Sequence, residues 1–273
     1  PNVAPERCQA ELLKLVQGVA VLAGVRVLQA CGALPVLFPA LATEADQHSA
    51  LARLQRLEAL ATVVPWARPL KPLLALACLH GVDAVGNTDS TKALEAHLHQ
   101  AAYPNSVIKP LITLASLNRG AVLPSLASLP WLLQGTVPEA IHLNEKEAWV
   151  RFALAHRTRG GEKTGDASVS SLYQSVLVWV AWQALLELLE LPESNEAIDT
   201  TRLEGLHALP PWLASLPTQP LLRGHEVVAC VNRPAGAWVA VCLQELWVQQ
   251  ALGKVRTVAE AQQHVCDWIQ IQP

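Results

Sequence analysis

A chain of 273 residues, 51% of them hydrophobic and only 16% charged, carries enough apolar side chain for a sizeable core and is globular. Its formal net charge of -3 excludes a generally basic nucleic-acid-binding chain, so any RNA contact has to come from local basic clusters. The six cysteines (Cys8, Cys31, Cys78, Cys230, Cys242, Cys266) show no C-x-x-C pairing and sit mostly in apolar runs, which reads as small buried hydrophobes in a reducing, cytoplasmic setting. Leu and Ala dominate, and apolar residues recur at spacings of three and four. Helix is therefore expected nearly throughout, with almost no sheet.

Taken in order, the chain begins at Pro1 and contains no methionine, which reads as a fragment, a processed chain or a diverged sequence. Pro5-Glu6-Arg7 starts a helix well, because proline suits the first turn and an early acid suits the positive end of the helix dipole. Arg7 precedes Glu11 by one turn, so an ion-pair brace between them is feasible, although this stretch taken alone reads as an ordinary capped surface helix. Residues 26–39 read as an amphipathic helix ending at a glycine and leading into prolines. Helices are then expected over 49–61, 70–81, 91–102, 108–117, 138–157 and 169–190. No fixed repeat period supports a solenoid. The uncharged stretch 168–186 carries Gln174, Gln183 and serines and is read as a buried core helix rather than a membrane span.

After the polar break at 191–195 the sequence predicts a short helix over 201–209, then a proline-punctuated approach through Pro210, Pro211, Pro217 and Pro220. A boundary between body and tail is placed between Pro192 and Pro220. Three tail helices follow, over 224–231, 235–252 and 258–269. The Arg233-Pro234 step separates the first two, and Gly253 caps the second. Thr257 with Glu260 three residues later forms a capping box at the start of the last.

Chemistry is sparse along this chain. Gly160-Gly161-Glu162-Lys163-Thr164-Gly165 lacks the leading glycine and the strand of a phosphate loop. Its flanks, Arg151, Arg157, Arg159 and Lys163, form the densest basic cluster and are candidates for phosphate contact. His97 and His99 stand two apart on a predicted helix and face different ways. His225-Glu226 with Cys230 lacks the second histidine of a zincin. No metal site is therefore expected.

Two phrases at the ends of the chain carry a resemblance. The first is P-E-R-x-x-x-E-L-x-K-L, with Glu6, Arg7 and Glu11, followed by the 26–39 segment. The second is L-x-G-x-E, P-x-G and G-K-V-x-T-x-x-E-A, with Gly224, Pro234, Gly236, Gly253, Lys254, Thr257 and Glu260 in place. Together they resemble the neck and tail of class II tRNA nucleotidyltransferases, the family of CCA-adding enzymes and bacterial poly(A) polymerases. This sequence departs from that pattern at Ala4 or Pro5, where a serine is usual, and at Ala237 and Ala240, where a proline and a second glycine are usual.

The resemblance implies an all-α, elongated multi-helix array with a neck over 1–45, a helical body over 46–200 and a helical tail over 201–273. It implies an RNA-positioning portion of a template-independent polymerase acting at tRNA 3′ ends, with tRNA or another RNA 3′ end and a catalytic head domain as partners, and neither membrane nor DNA. RNA contacts are expected from Arg7, Lys14, Arg157, Arg159, Lys163, Arg223, Lys254 and Arg256. The magnesium ions and the ATP or CTP of the full enzyme are implied by the family's head. These 273 residues hold neither its G-S phosphate loop nor its D-x-D carboxylates, so no cofactor is expected in this chain and it should be inactive alone. The contrasting expectation is a helical scaffold that binds protein and has lost the polymerase role.

Overall fold

The computed structural model describes residues 4–82, 88–117, 124, 126, 129, 139–157, 173–190, 200–231 and 233–271. Among these residues the fold is all-α, with thirteen α-helices, two short 3-10 turns at Pro39–Leu41 and Pro65–Leu70, and no strand. The helices are α1 Pro5–Gln17, α2 Val21–Ala30, α3 Leu34–Leu37, α4 Glu44–Val63, α5 Lys71–Leu79, α6 Thr88–Gln100, α7 Asn105–Leu117, α8 Glu139–Ala155, α9 Gln174–Glu190, α10 Thr200–Ser215, α11 Gly224–Val231, α12 Ala237–Ala251 and α13 Val258–Ile271.

Two helices organise the larger core because they are apolar on every side, a pattern that only full burial accommodates. Leu74 through Leu79 of α5 are all buried, as are Val176 through Trp182 of α9. Around them pack the one-sided helices, such as α4, which buries Ala50, Leu54, Leu57 and Leu60 on a single stripe. Thr43 starts α4 by accepting from Asp46 N–H at 3.1 Å. At the N-terminal end, a Cβ added to Gly24 would stand 3.0 Å from the Leu15 side chain, so the absence of one lets α2 lie close on α1.

Prolines do less than the sequence leads one to expect. The sequence puts Pro210 and Pro211 after a short helix, yet α10 continues through both to Ser215. A proline at position 210 removes the N–H that would bond the Leu206 carbonyl. The structure fills that gap from far away, because Trp66 donates its indole N–H to Leu206 O at 2.8 Å. Trp66→Phe is expected to leave this carbonyl unpaired and to cost about 1–3 kcal/mol. Urea unfolding of the variant measures it, and an unchanged midpoint would dissociate Trp66 from the survival of α10. Pro110 is inside α7, within the span 108–117 where the sequence places a helix.

Smaller differences are local. The helix expected from 235 begins at Ala237 instead, because Pro234 to Gly236 stay extended while Trp238 donates its indole N–H to Pro234 O at 3.0 Å. The helix expected from 49 begins five residues earlier, at Glu44, with Thr43 as its cap. The helix expected to reach 102 ends at Gln100, closed by Ala102 in the left-handed region with φ 60°. Of the expected 169–190 helix, residues 173–190 are described, and the helix runs over Gln174–Glu190 with Tyr173 in a bend before it.

Burial divides the chain into two cores. The larger takes residues from Leu12 to Leu216, among them Leu206, Leu209 and Leu213 of α10, together with Val248. The smaller is built from Leu222, Val227, Cys242, Leu246, Val255, Ala261 and Val265 of the last three helices and their joints. One helix serves both: Leu246 of α12 faces the small core, while Val248, two residues on and so nearly opposite, is buried in the large one.

Candidate functional site

The helices α1, α2 and α3 are tied to the rest of the large core by a polar joint. The Glu58 carboxylate accepts from Leu22 N–H at 3.2 Å, in the first turn of α2, where an anion meets unpaired amides. Lys71 Nζ stands 3.8 Å from the same carboxylate and donates to Val19 O at 3.0 Å. The α1–α2 turn is therefore held in place by one cation and one anion from α5 and α4.

On α1 itself Glu11 pairs with Lys14. Glu11 takes a 2.9 Å hydrogen bond from Lys14 rather than from Arg7, and the Lys14 bond and charge hold its carboxyl below the usual range, with Arg7 adding a smaller pull. Both partners are well exposed, so this pair contributes little to stability. Glu6 lies exposed in the first turn. Arg7 and Glu11 stand at the rim of a mostly apolar groove of about 280 Å³ that also takes in Cys8, Leu15, Leu28 and Leu37. Sequence reasoning misses a third cation of this segment, Arg26. It is exposed on α2 beside the buried Val25, a position that the amphipathic pattern could have marked.

The two described members of the basic cluster, Arg151 and Arg157, both make contacts within the protein. Arg151 donates to Glu147 at 2.6 Å along α8 and to Glu245 at 2.8 Å on α12, where Gln249 donates to the second Glu245 oxygen at 2.7 Å. Burial raises the Glu245 carboxyl, but the Gln249 and Arg151 bonds outweigh it and leave the group below its ordinary value. These bonds make a clasp between α8 and α12. Arg157 donates to the Thr218 carbonyl and lies 5.3 Å over the Trp247 ring, a cation–π contact that joins the end of α8 to α12. Arg159 and Lys163 lie outside the described residues.

The tail motif is a set of local caps. Gly253, at φ 74°, follows the end of α12, and the bonds Gly253 N to Gln250 O (2.9 Å) and Lys254 N to Gln249 O (3.0 Å) close a Schellman turn. Glu260 N donates to Thr257 Oγ1 at 3.2 Å, and the Glu260 carboxylate accepts from Arg256 N at 2.7 Å and Thr257 N at 3.4 Å, which completes the expected capping box. Gly224 opens α11 beside Val239 and Leu243 of α12. Glu226 reaches back to accept from Arg223 N at 2.6 Å. Pro234 and Gly236 belong to the extended entry to α12. Arg223, Lys254 and Arg256 are all exposed, and Arg256 Nε donates to Gly253 O at 2.9 Å.

Among the described residues, no group of three or more His, Cys, Asp or Glu side chains is placed to hold a metal ion, and no helix is long and apolar enough to cross a membrane. A family model described as the probable RNA and SrmB-binding site of polymerase A matches residues 1–44. The match covers α1, α2 and α3 and stops at the first residue of α4, so a poly(A) polymerase-related RNA-binding region occupies this end of the chain. No curated protein and no solved structure matches the chain.

Proposed function

We propose that this chain is the RNA-positioning portion of a template-independent RNA nucleotidyltransferase of the CCA-adding or poly(A)-adding kind, working on the 3′ end of tRNA or another RNA in the cytoplasm. The observation that carries the reading is the match over residues 1–44, the segment that bears Glu6, Arg7 and Glu11. Three exposed cations lie in that segment, Arg7, Lys14 and Arg26, and the exposed cations of the tail include Arg223, Lys254 and Arg256. Such scattered cations on a chain of net charge -3 suit contact with a folded RNA through backbone shape, which A-form RNA displays more openly than its base edges. Phosphoryl transfer, with its magnesium ions and nucleotide, belongs in this reading to a separate catalytic head.

The test is tRNA affinity against salt for the wild-type chain and for the Lys254→Ala, Arg256→Ala double variant. If both side chains touch duplex phosphates, the logarithmic salt slope flattens by about 1.8 on a B-DNA calibration, and affinity falls about equally for all folded tRNAs. Thr257→Ala serves as the control. It removes a cap without removing charge, so it is expected to cost about 0.5–2 kcal/mol of stability and leave the slope unchanged. Equal slopes for wild type and double variant would take the tail out of the RNA surface.

A helical scaffold for a protein partner is the second reading. It draws support from Arg151 and Arg157, two of the body's cations, both engaged in protein contacts. Absence of tRNA binding by the wild-type chain at low salt would decide for the scaffold.

A further inference from the structure

A cleft of about 700 Å³ lies where the end of α8, the connector 217–220 and the outer face of α12 meet. That size falls within the range of small-molecule sites. Its walls are fixed from both sides. Trp247 donates its indole N–H to Pro217 O at 2.9 Å. Gln250 donates to Gln219 O at 3.3 Å and accepts from Leu221 N–H at 3.0 Å, so the connector is pinned along its length. Arg157, on the lining, donates to the Thr218 carbonyl and holds its guanidinium 5.3 Å from the centre of the Trp247 ring.

The groups that converge there are of four kinds. Val241 supplies an apolar surface and is 55% exposed, although its neighbour Cys242 is buried. Trp247 supplies an aromatic wall, Arg157 a cation, and Gln219 and Gln244 exposed amides that each offer a donor and an acceptor. Among the described residues no carboxylate lines the cleft, and the nearby Glu245 is bonded to Arg151 and Gln249.

We propose that this cleft receives a single unpaired nucleotide of a bound RNA, its base against Val241 and the aromatic wall, its edge read by the glutamine amides and its phosphate near Arg157. The proposal rests on the RNA-binding reading above and adds to it the kind of RNA element bound at the junction of body and tail. A nucleotide is the ligand that needs all four kinds of group at once: a flat apolar face, a hydrogen-bonding edge and an anion. A duplex is too broad for such a cleft, which ties the site to a single-stranded end, loop or bulge.

The experiment measures fluorescence anisotropy of the full chain with two labelled probes at one salt concentration, a hexa-adenylate single strand and a blunt RNA duplex. Val241→Trp fills the cleft at an exposed position, and Gln244→Ala removes one amide without adding bulk. Val241→Trp is expected to weaken the single strand about five- to hundredfold, the range for losing one stacked base. Gln244→Ala weakens it in the same direction, and duplex affinity stays within about twofold of wild type for both. A thermal melt establishes that each variant is folded, and if Val241→Trp is not, Gln244→Ala alone decides. Unchanged single-strand affinity in the folded variants, with the duplex still bound, overturns the cleft and leaves the RNA-binding reading standing. Equal weakening of both probes also overturns it. Failure of the wild-type chain to bind either probe at low salt overturns both readings together.

Discussion

Lowering the pH from 7 to 5 is expected to remove about 2 kcal/mol of stability through His80 alone. This imidazole is 4% exposed at the end of α5, walled by the rings of Phe38 at 5.1 Å, Tyr103 at 5.4 Å and His97 at 5.5 Å. Burial in that apolar setting lowers its pKa to about 3, with the neighbouring His97 pushing the same way. Among the described residues, the Tyr103 hydroxyl comes near its Nε2, at 3.4 Å. The folded value lies below the unfolded one, so the unfolded chain binds the proton more readily. The stability His80 contributes is therefore complete above about pH 6.5 and drains away as the pH falls toward about 3. His80→Phe keeps the edge-on ring packing and removes the proton site. Melts of wild type and variant at pH 7 and pH 5 isolate the effect: the variant should lose about 2 kcal/mol less, and parallel losses would show that another group carries the acid sensitivity.

Trp149→Ala is expected to cost about 3–5 kcal/mol, more than the loss of any cap or surface ion pair in the molecule. The Trp149 side chain on α8 is fully buried and makes edge-on contacts with Trp179 of α9 at 6.1 Å, Trp212 of α10 at 6.4 Å and Phe152 of its own helix at 6.3 Å. Truncation removes an aromatic shared by three helices and leaves a cavity whose walls are themselves large rings, which collapse poorly. Urea unfolding reads the loss as a lower midpoint. A cost below about 1 kcal/mol would mean that the site closes over the gap. Trp149→Phe, which keeps a ring in the space, should restore much of the stability.

What the sequence revealed and what it hid follow the range of the interactions. Helix type was legible almost everywhere because apolar spacing is a property of a few turns. The tail's punctuation at Gly253 and at Thr257 with Glu260 was legible for the same reason, since a Schellman turn and a capping box close within six residues. The path of α10 through Pro210 and Pro211 was not legible, because the donor that compensates it, Trp66, lies 140 residues upstream of Leu206. The basic cluster shows the same division. Arg151 and Arg157 looked alike as surface cations, and only their partners 94 and 61 residues away turn them into a clasp and a pin. On α1 the sequence offered Glu11 two cations within one turn, and spacing alone did not decide that Lys14 would take it.

The sharing of α12 between two cores has a consequence for how the tail opens. The helices α11 and α13 bury their apolar faces in the small core, against each other and against one side of α12. The opposite side of α12 holds Val248 in the large core, and Arg151 grips it through Glu245. A partial opening that releases α11 and α13 therefore leaves α12 docked and helical, because none of its large-core contacts is broken. In hydrogen–deuterium exchange the last fifty or so residues would then separate into two populations. The amides of α11 and α13 would exchange together through a low-energy opening, while those of α12, lying between them in sequence, would wait for the body itself to unfold.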